Sequence, residues 1–182
     1  MNIKFEKFTV KNIVFLAVMA ALLFLCGAVA MPIMTVTLFG LRNMVTAIFY
    51  AFFSVITLMK VRKPGALSLL GIFNAAILFM MSPVMFVTNS VSAVLAELIT
   101  LLIFKSYENP KAILTACILW MPLTLPFTAL FSSLLNGQSF SEVVQFSPYV
   151  LLTCLGTVVL SIVGALLGQK IGKELQKAGK LK

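Results

Sequence analysis

The chain has 182 residues, 61% of them hydrophobic and only 10% charged, with a formal net charge of +9 and a mean hydropathy of +1.10. A water-soluble domain of this size has too little interior to hide that much apolar surface, so a soluble fold is excluded. The sequence has no histidine and no aspartate, which removes the usual zinc centres, Ser-His-Asp and Cys-His nucleophiles, and the paired aspartates of intramembrane proteases.

The apolar residues fall in long uncharged blocks, the signature of an all-α integral membrane protein. In chain order the blocks predict six transmembrane helices over about 10–30, 43–59, 64–81, 84–104, 111–135 and 149–168, in a single domain spanning 1–182. The first follows Lys4, Lys7 and Lys11 and ends in an Ala28-Val29-Ala30 cleavage-like pattern. Its apolar run is longer than a signal-peptide core, so it is read as an uncleaved span. Pro64 suits the first position of the third helix, whose Gly71 and Asn74 lower its hydropathy. Cys26, Cys117 and Cys154 each lie within an apolar run and read as small hydrophobes.

Lysine and arginine placement orients the chain. The N-terminal lead, the second-to-third connection (Lys60, Arg62, Lys63), the fourth-to-fifth connection (Lys105, Lys111) and the tail from Lys170 share one side. Arg42 alone lies on the other. Both termini are therefore expected in the cytoplasm. The basic tail is expected to prolong the sixth helix and to meet anionic lipid, not nucleic acid.

Within the first span, FLAVMAALLFL (15–25) sets Ala17, Ala20 and Ala21 close together on the helix surface. Such a side-chain-poor patch lets backbones approach, either inside this chain or against a separate membrane subunit. Gly164, Gly168 and Gly172 form a second four-residue series, for which packing within the chain is the expected account. The text GALLGQK has three residues between its glycines and no Lys-Ser/Thr ending, so it is not a phosphate-binding loop and no ATP site is expected.

Glu97 is the acid well inside a span. A charge there costs on the order of 3 kcal/mol, so it faces the interior or is protonated, as a structural hydrogen-bond anchor or as a proton or cation site. The anchor is favoured. Pro122 and Pro126 in WMPLTLPF free carbonyls that bare lipid does not tolerate, which predicts either a bent or partly unwound segment facing a cavity or a packed kink.

The outer ends carry Met31, Met34, Met44, Met80, Met81 and Met85 together with Phe39, Phe86, Phe127, Phe131, Phe146 and Tyr149, and with Asn43, Asn89, Ser90 and Gln145 as polar handles. Flexible thioethers, rings and a few amides suit a pocket for an organic ligand; interfacial anchoring and loop packing are the alternative. The candidate substrate-binding residues are Met34, Phe39, Arg42, Asn43, Met85, Asn89, Phe127, Phe131, Gln145 and Tyr149.

With its length, six spans, cytoplasmic termini, basic lead and Ala17-x-x-x-Ala21, the chain resembles the substrate-binding S components of energy-coupling factor (ECF) vitamin transporters. The resemblance covers the whole chain. It implies a multi-pass protein of the bacterial cytoplasmic membrane that binds a vitamin at its outer face, beneath residues 31–44 as a lid. It implies a transmembrane coupling protein and two cytoplasmic ATPase subunits as partners, docking on the alanine patch, and inward delivery by toppling in the bilayer. Hydrolysis then belongs to the partners; the chain is no enzyme, holds no cofactor, and treats the vitamin as substrate. A cation such as thiamine wants an outer acid, and Glu142 alone is available; Arg42 can meet a carboxylate or phosphate. The methionine-rich outer surface points first to cobalamin, with pantothenate and pyrimidine or pyridoxine-type precursors open. The competing functions are a stand-alone carrier or channel using Glu97, and a ligand-free membrane scaffold.

Overall fold

The computed structural model describes residues 7–28, 30, 32, 38–137, 139–144 and 148–179. Among them are seven helices and no strand: α1 (Val10–Ala28), α2 (Leu41–Lys60), α3 (Ala66–Phe79), α4 (Pro83–Phe104), α5 (Pro110–Asn136), α6 (Phe140–Val144) and α7 (Pro148–Lys177). Five of these, α1, α2, α4, α5 and α7, are long and apolar enough to cross a membrane.

The expected third span is shorter than the sequence suggests. Helix α3 has 14 residues, about 21 Å at ~1.5 Å per residue, against a hydrocarbon core of ~30 Å. Pro64 is not its first residue. The turn before the helix is closed by Gly65, whose φ of 95° is open to glycine at little cost. The prolines of α4, α5 and α7 do occupy first helical turns: Pro83, Pro110 and Pro148 each open their helix. The short α6 precedes the last span and had no counterpart in the apolar pattern. The tail behaves as expected, since α7 continues to Lys177.

Helix α2 lies along α7, α3 beside α4, and α4 beside α5, while α1 packs on α3 and α2. The α2–α7 contact is made by the glycine series. A Cβ at Gly164 would overlap the carbonyl of Ile48, one at Gly168 that of Phe52, and one at Gly172 the sulfur of Met59. The backbones thus meet where side chains are missing, which in lipid supplies the packing that apolar burial cannot. The expectation of packing within the chain holds for this series. Gly71 of α3 likewise sits against Ala93 of α4.

The main interior cluster is drawn from α1, α2, α3, α4, α5 and α7, with Trp120 and Tyr107 the largest fully buried side chains, and a small second cluster gathers around Ala129, Val144 and Val150. Leucines and valines on the outward sides of α1, α4 and α7 stay exposed, including Val14, Leu25, Leu102, Leu155 and Leu166. In a bilayer these side chains face lipid. The ends expected in the cytoplasm do gather at one end of the bundle: Lys63 Nζ donates to the carbonyl of Lys7 at 2.8 Å, and Arg62, Glu108 and Lys173 share a small cavity.

Candidate functional site

At the opposite end, the outer end in the orientation read from the lysines, the helices splay around a cavity of about 170 Å³. Among the described residues its wall is Phe24, Gly27 and Ala28 from α1, Arg42, Asn43, Thr46 and Tyr50 from α2, and Leu78 and Met81 at the end of α3. Val84, Met85, Thr88 and Asn89 come from α4, and Met121, Thr124 and Thr128 from α5.

Spacing explains why these residues converge. Asn43, Thr46 and Tyr50 stand three and four apart on α2, Met85, Thr88 and Asn89 on α4, and Thr124 and Thr128 on α5, so each set forms one face of its helix. Asn43 Nδ2 donates to Thr124 Oγ1 at 2.6 Å, and Thr124 Oγ1 in turn donates to the carbonyl of Met121. Thr46 Oγ1 turns back to the carbonyl of Arg42 at 3.0 Å. Deeper in the bundle, Asn74 Nδ2 donates to Tyr50 Oη at 3.0 Å. The Tyr50 ring meets Trp120 edge-on with centroids 5.4 Å apart. Arg42 projects a guanidinium N–H at the thioether of Met85, 3.1 Å away.

Of the sequence-predicted substrate residues, Arg42, Asn43, Met85 and Asn89 meet in this cavity. Phe39 does not; it packs with Leu38, Ala129, Val144 and Val150, and its carbonyl accepts from Thr153 Oγ1 at 2.8 Å. Phe127 and Phe131 stack on each other with centroids 6.0 Å apart, away from the wall. Tyr149 lies at the exposed start of α7. Met34 and Gln145 fall outside the described residues. Of the other outer methionines, Met81 lines the cavity, Met44 packs on Gly156, and Met80 is exposed. Tyr50, Thr46, Thr88 and Thr124 were missed, although the polar stripe they make on α2, α4 and α5 is visible as three- and four-residue spacing.

Helix α5 stays helical through Pro122 and Pro126, so the segment is not unwound there. Its Thr124 and Thr128 still face the cavity.

Glu97 lies far from this cavity, near the inner end of α4, and is 2% exposed. Its Oε1 accepts the N–H of Gly65 at 2.8 Å and the hydroxyl of Tyr107 at 2.9 Å. Its Oε2 accepts the N–H of Ser68 at 2.8 Å and the Ser68 hydroxyl. Gly65 and Ser68 are the cap and third residue of α3, so the carboxylate satisfies N–H groups that a helix start leaves unpaired. Burial, with Glu97 beside it, pushes the Tyr107 hydroxyl well above the ordinary tyrosine range. At the outer side, Glu142 is exposed and held below the usual carboxylate range by the N–H of Ser139.

The alanine patch divides. Ala17 and Ala21 are exposed on α1, flanked by Val14 and Val18. Ala20 is fully buried against the core, so it cannot belong to a surface for a partner. The step of three residues from 17 carries it round to the inner side of the helix.

A crystal structure described as an S-component of an ECF transporter shares the fold, with a TM-score of 0.61 over 96% of this chain and 89% of that one, at 18% identity. No curated protein sequence matches the chain. A family described as hypothetical bacterial integral membrane protein (Trep_Strep) matches residues 10–176. With that match across nearly its whole length and an S-component-like bundle of membrane-crossing helices, the chain belongs to the Trep_Strep family of multi-pass bacterial integral membrane proteins.

Proposed function

We propose that this chain is the substrate-binding subunit of an ECF-type importer. The observation that carries the reading is the outer cavity: polar groups from three helices converge there, within a bundle folded like an S component. In this reading the cavity captures a small molecule from outside; the expected lid over 31–44 does not hold at its C-terminal end, where Arg42 and Asn43 belong to α2 and form the wall, and residues 31 and 33–37 lie outside the described residues. A transmembrane coupling protein docks on the exposed Ala17 and Ala21, and two ATPases supply the work that topples the subunit and releases its cargo inside. The chain itself catalyses nothing.

The size of the cavity supports a smaller cargo than cobalamin, which the methionine-rich surface suggested. A sealed cavity of ~150 Å³ takes a molecule the size of benzene, and a corrin is several times larger. A carrier built on Glu97 has little support, because both carboxylate oxygens are occupied by structural donors at the far end from the cavity.

The test is reconstitution. Liposomes holding this chain with a coupling protein and ATPases are expected to take up ligand only with ATP inside the compartment that holds the ATPases. Uptake by the chain alone under a proton gradient, abolished by Glu97→Gln, would replace this reading with the carrier.

A further inference from the structure

We infer that the cargo of the outer cavity is a small anion, a carboxylate or phosphate ester built on about one ring, with its negative group on Arg42. This rests on the reading of the chain as a substrate-binding subunit and adds the chemical class of the substrate.

Charge is the first argument. Arg42 lines the cavity, and the contact its guanidinium makes there is with the sulfur of Met85 at 3.1 Å, a weak acceptor. The chain has five acids, and none of the four described ones compensates it. Glu97 is committed to α3, while Glu108 and Glu174 lie at the opposite end of the bundle. Glu6, outside the described residues, precedes the inner end of α1. Glu142 is exposed and turned onto the N–H of Ser139 at 2.8 Å. A partly buried cation without a counter-charge is unfavourable, and a bound anion removes that cost.

The second argument is the balance of donors and acceptors. Tyr50 Oη accepts from Asn74, and its own proton has no acceptor among the described residues. Thr88 is 3% exposed, yet among the described residues its hydroxyl has no partner, and Asn89 Oδ1 is unpaired as well. Buried polar atoms are rarely left so. Arg42, Tyr50 and Thr88 offer donors to an anionic group, and Asn89 accepts from a hydroxyl or ring N–H on the same ligand. Phe24, Leu78 and Met121 supply apolar wall for the ring.

The test uses the full chain in detergent or nanodiscs and three matched probe pairs: nicotinate and nicotinamide, 4-aminobenzoate and 4-aminobenzamide, pyridoxine 5′-phosphate and pyridoxine. Binding is read by calorimetric titration and by melting temperature. The charged member of at least one pair is expected to bind at least about tenfold more tightly than its neutral partner. Arg42→Gln should erase that preference, and Arg42→Lys should keep part of it. The carboxylate pairs and the phosphate pair distinguish the two anion types. Because the preference is measured on the unaltered chain, it stands even if Arg42→Gln fails to fold. If probes bind but in no pair does the charged member bind more tightly than its neutral partner, the anionic class is overturned and the receptor reading stays intact. If no probe binds, the molecule retained through purification is identified by mass spectrometry: an anion supports the inference, and a neutral or cationic molecule overturns it. If nothing is retained either, the receptor reading falls, and the inference with it.

Discussion

The carboxylate of Glu97 accepts the backbone N–H of Ser68 at 2.8 Å, so a side chain from α4 completes the first turn of α3. A 14-residue helix with no acidic or hydroxyl cap of its own is thereby fixed in register with its neighbour. Glutamine at position 97 keeps the shape and one acceptor but loses the charge and the second acceptor. Glu97→Gln is expected to destabilise the protein by about 1.5–3 kcal/mol, the range for hydrogen bonds to a charged group. Unfolding in detergent measures this, and ligand binding in the outer cavity should persist in the folded fraction. Unchanged stability would mean that Glu97 is not an anchor.

Tyr107 reports on the same cluster through pH. Its folded-state pKa is raised by burial first and by Glu97 second, whereas an unfolded tyrosine titrates near pH ~10. The folded state therefore holds this proton where the unfolded state releases it. The stability this contributes is complete below about pH 10 and is lost progressively as pH rises above that value. Tyr107→Phe should flatten the alkaline fall of the melting temperature, and identical slopes in the two proteins would refute it.

The glycines of α7 should rank by what faces them. Alanine raises helix propensity by about 1 kcal/mol over glycine, so an unhindered position gains from the change. At Gly164 the added carbon meets the Ile48 backbone, and at Gly172 the end of the flexible Met59 side chain. Gly164→Ala is expected to cost about 1–3 kcal/mol, with Gly172→Ala close to neutral. Melting temperatures of the two variants give the order, and the reverse order would show that α2 and α7 do not meet through this seam.

Docking makes a separable prediction. Ala17→Trp combined with Ala21→Trp adds bulk on the exposed side of α1 and none to the core. Ligand affinity should stay within about twofold, inside the small range typical of surface substitutions, while co-purification with the coupling protein is lost. Ala20→Trp should instead compromise folding itself, because that position is fully buried.

The membrane character and nearly every helix could be read from the chain, because lipid demands long uncharged runs and nothing else in this composition competes with that signal. That Lys7, Arg62, Lys63 and Lys173 share one end of the bundle follows from their placement between the apolar blocks, and the packing role of Gly164, Gly168 and Gly172 from their spacing. The short α3 and the added α6 were not legible: hydropathy sees an apolar block, but a helix ends where its last backbone groups find partners. For α3 the starting partner is Glu97, 32 residues from Gly65.

The site divides in the same way. Arg42, Asn43, Met85 and Asn89 were recoverable because polar and soft residues at the outer ends of spans are conspicuous. Phe39, Phe127, Phe131 and Tyr149 share that address but turn towards other contacts, and Ala20 faces the core. Depth in the bilayer is written along the sequence. The direction a side chain takes around its helix is fixed only when the neighbouring helices are in place, so only the tertiary structure could close the cavity around Tyr50, Thr88 and Thr124 and leave Arg42 inside it without a counter-charge among the described residues.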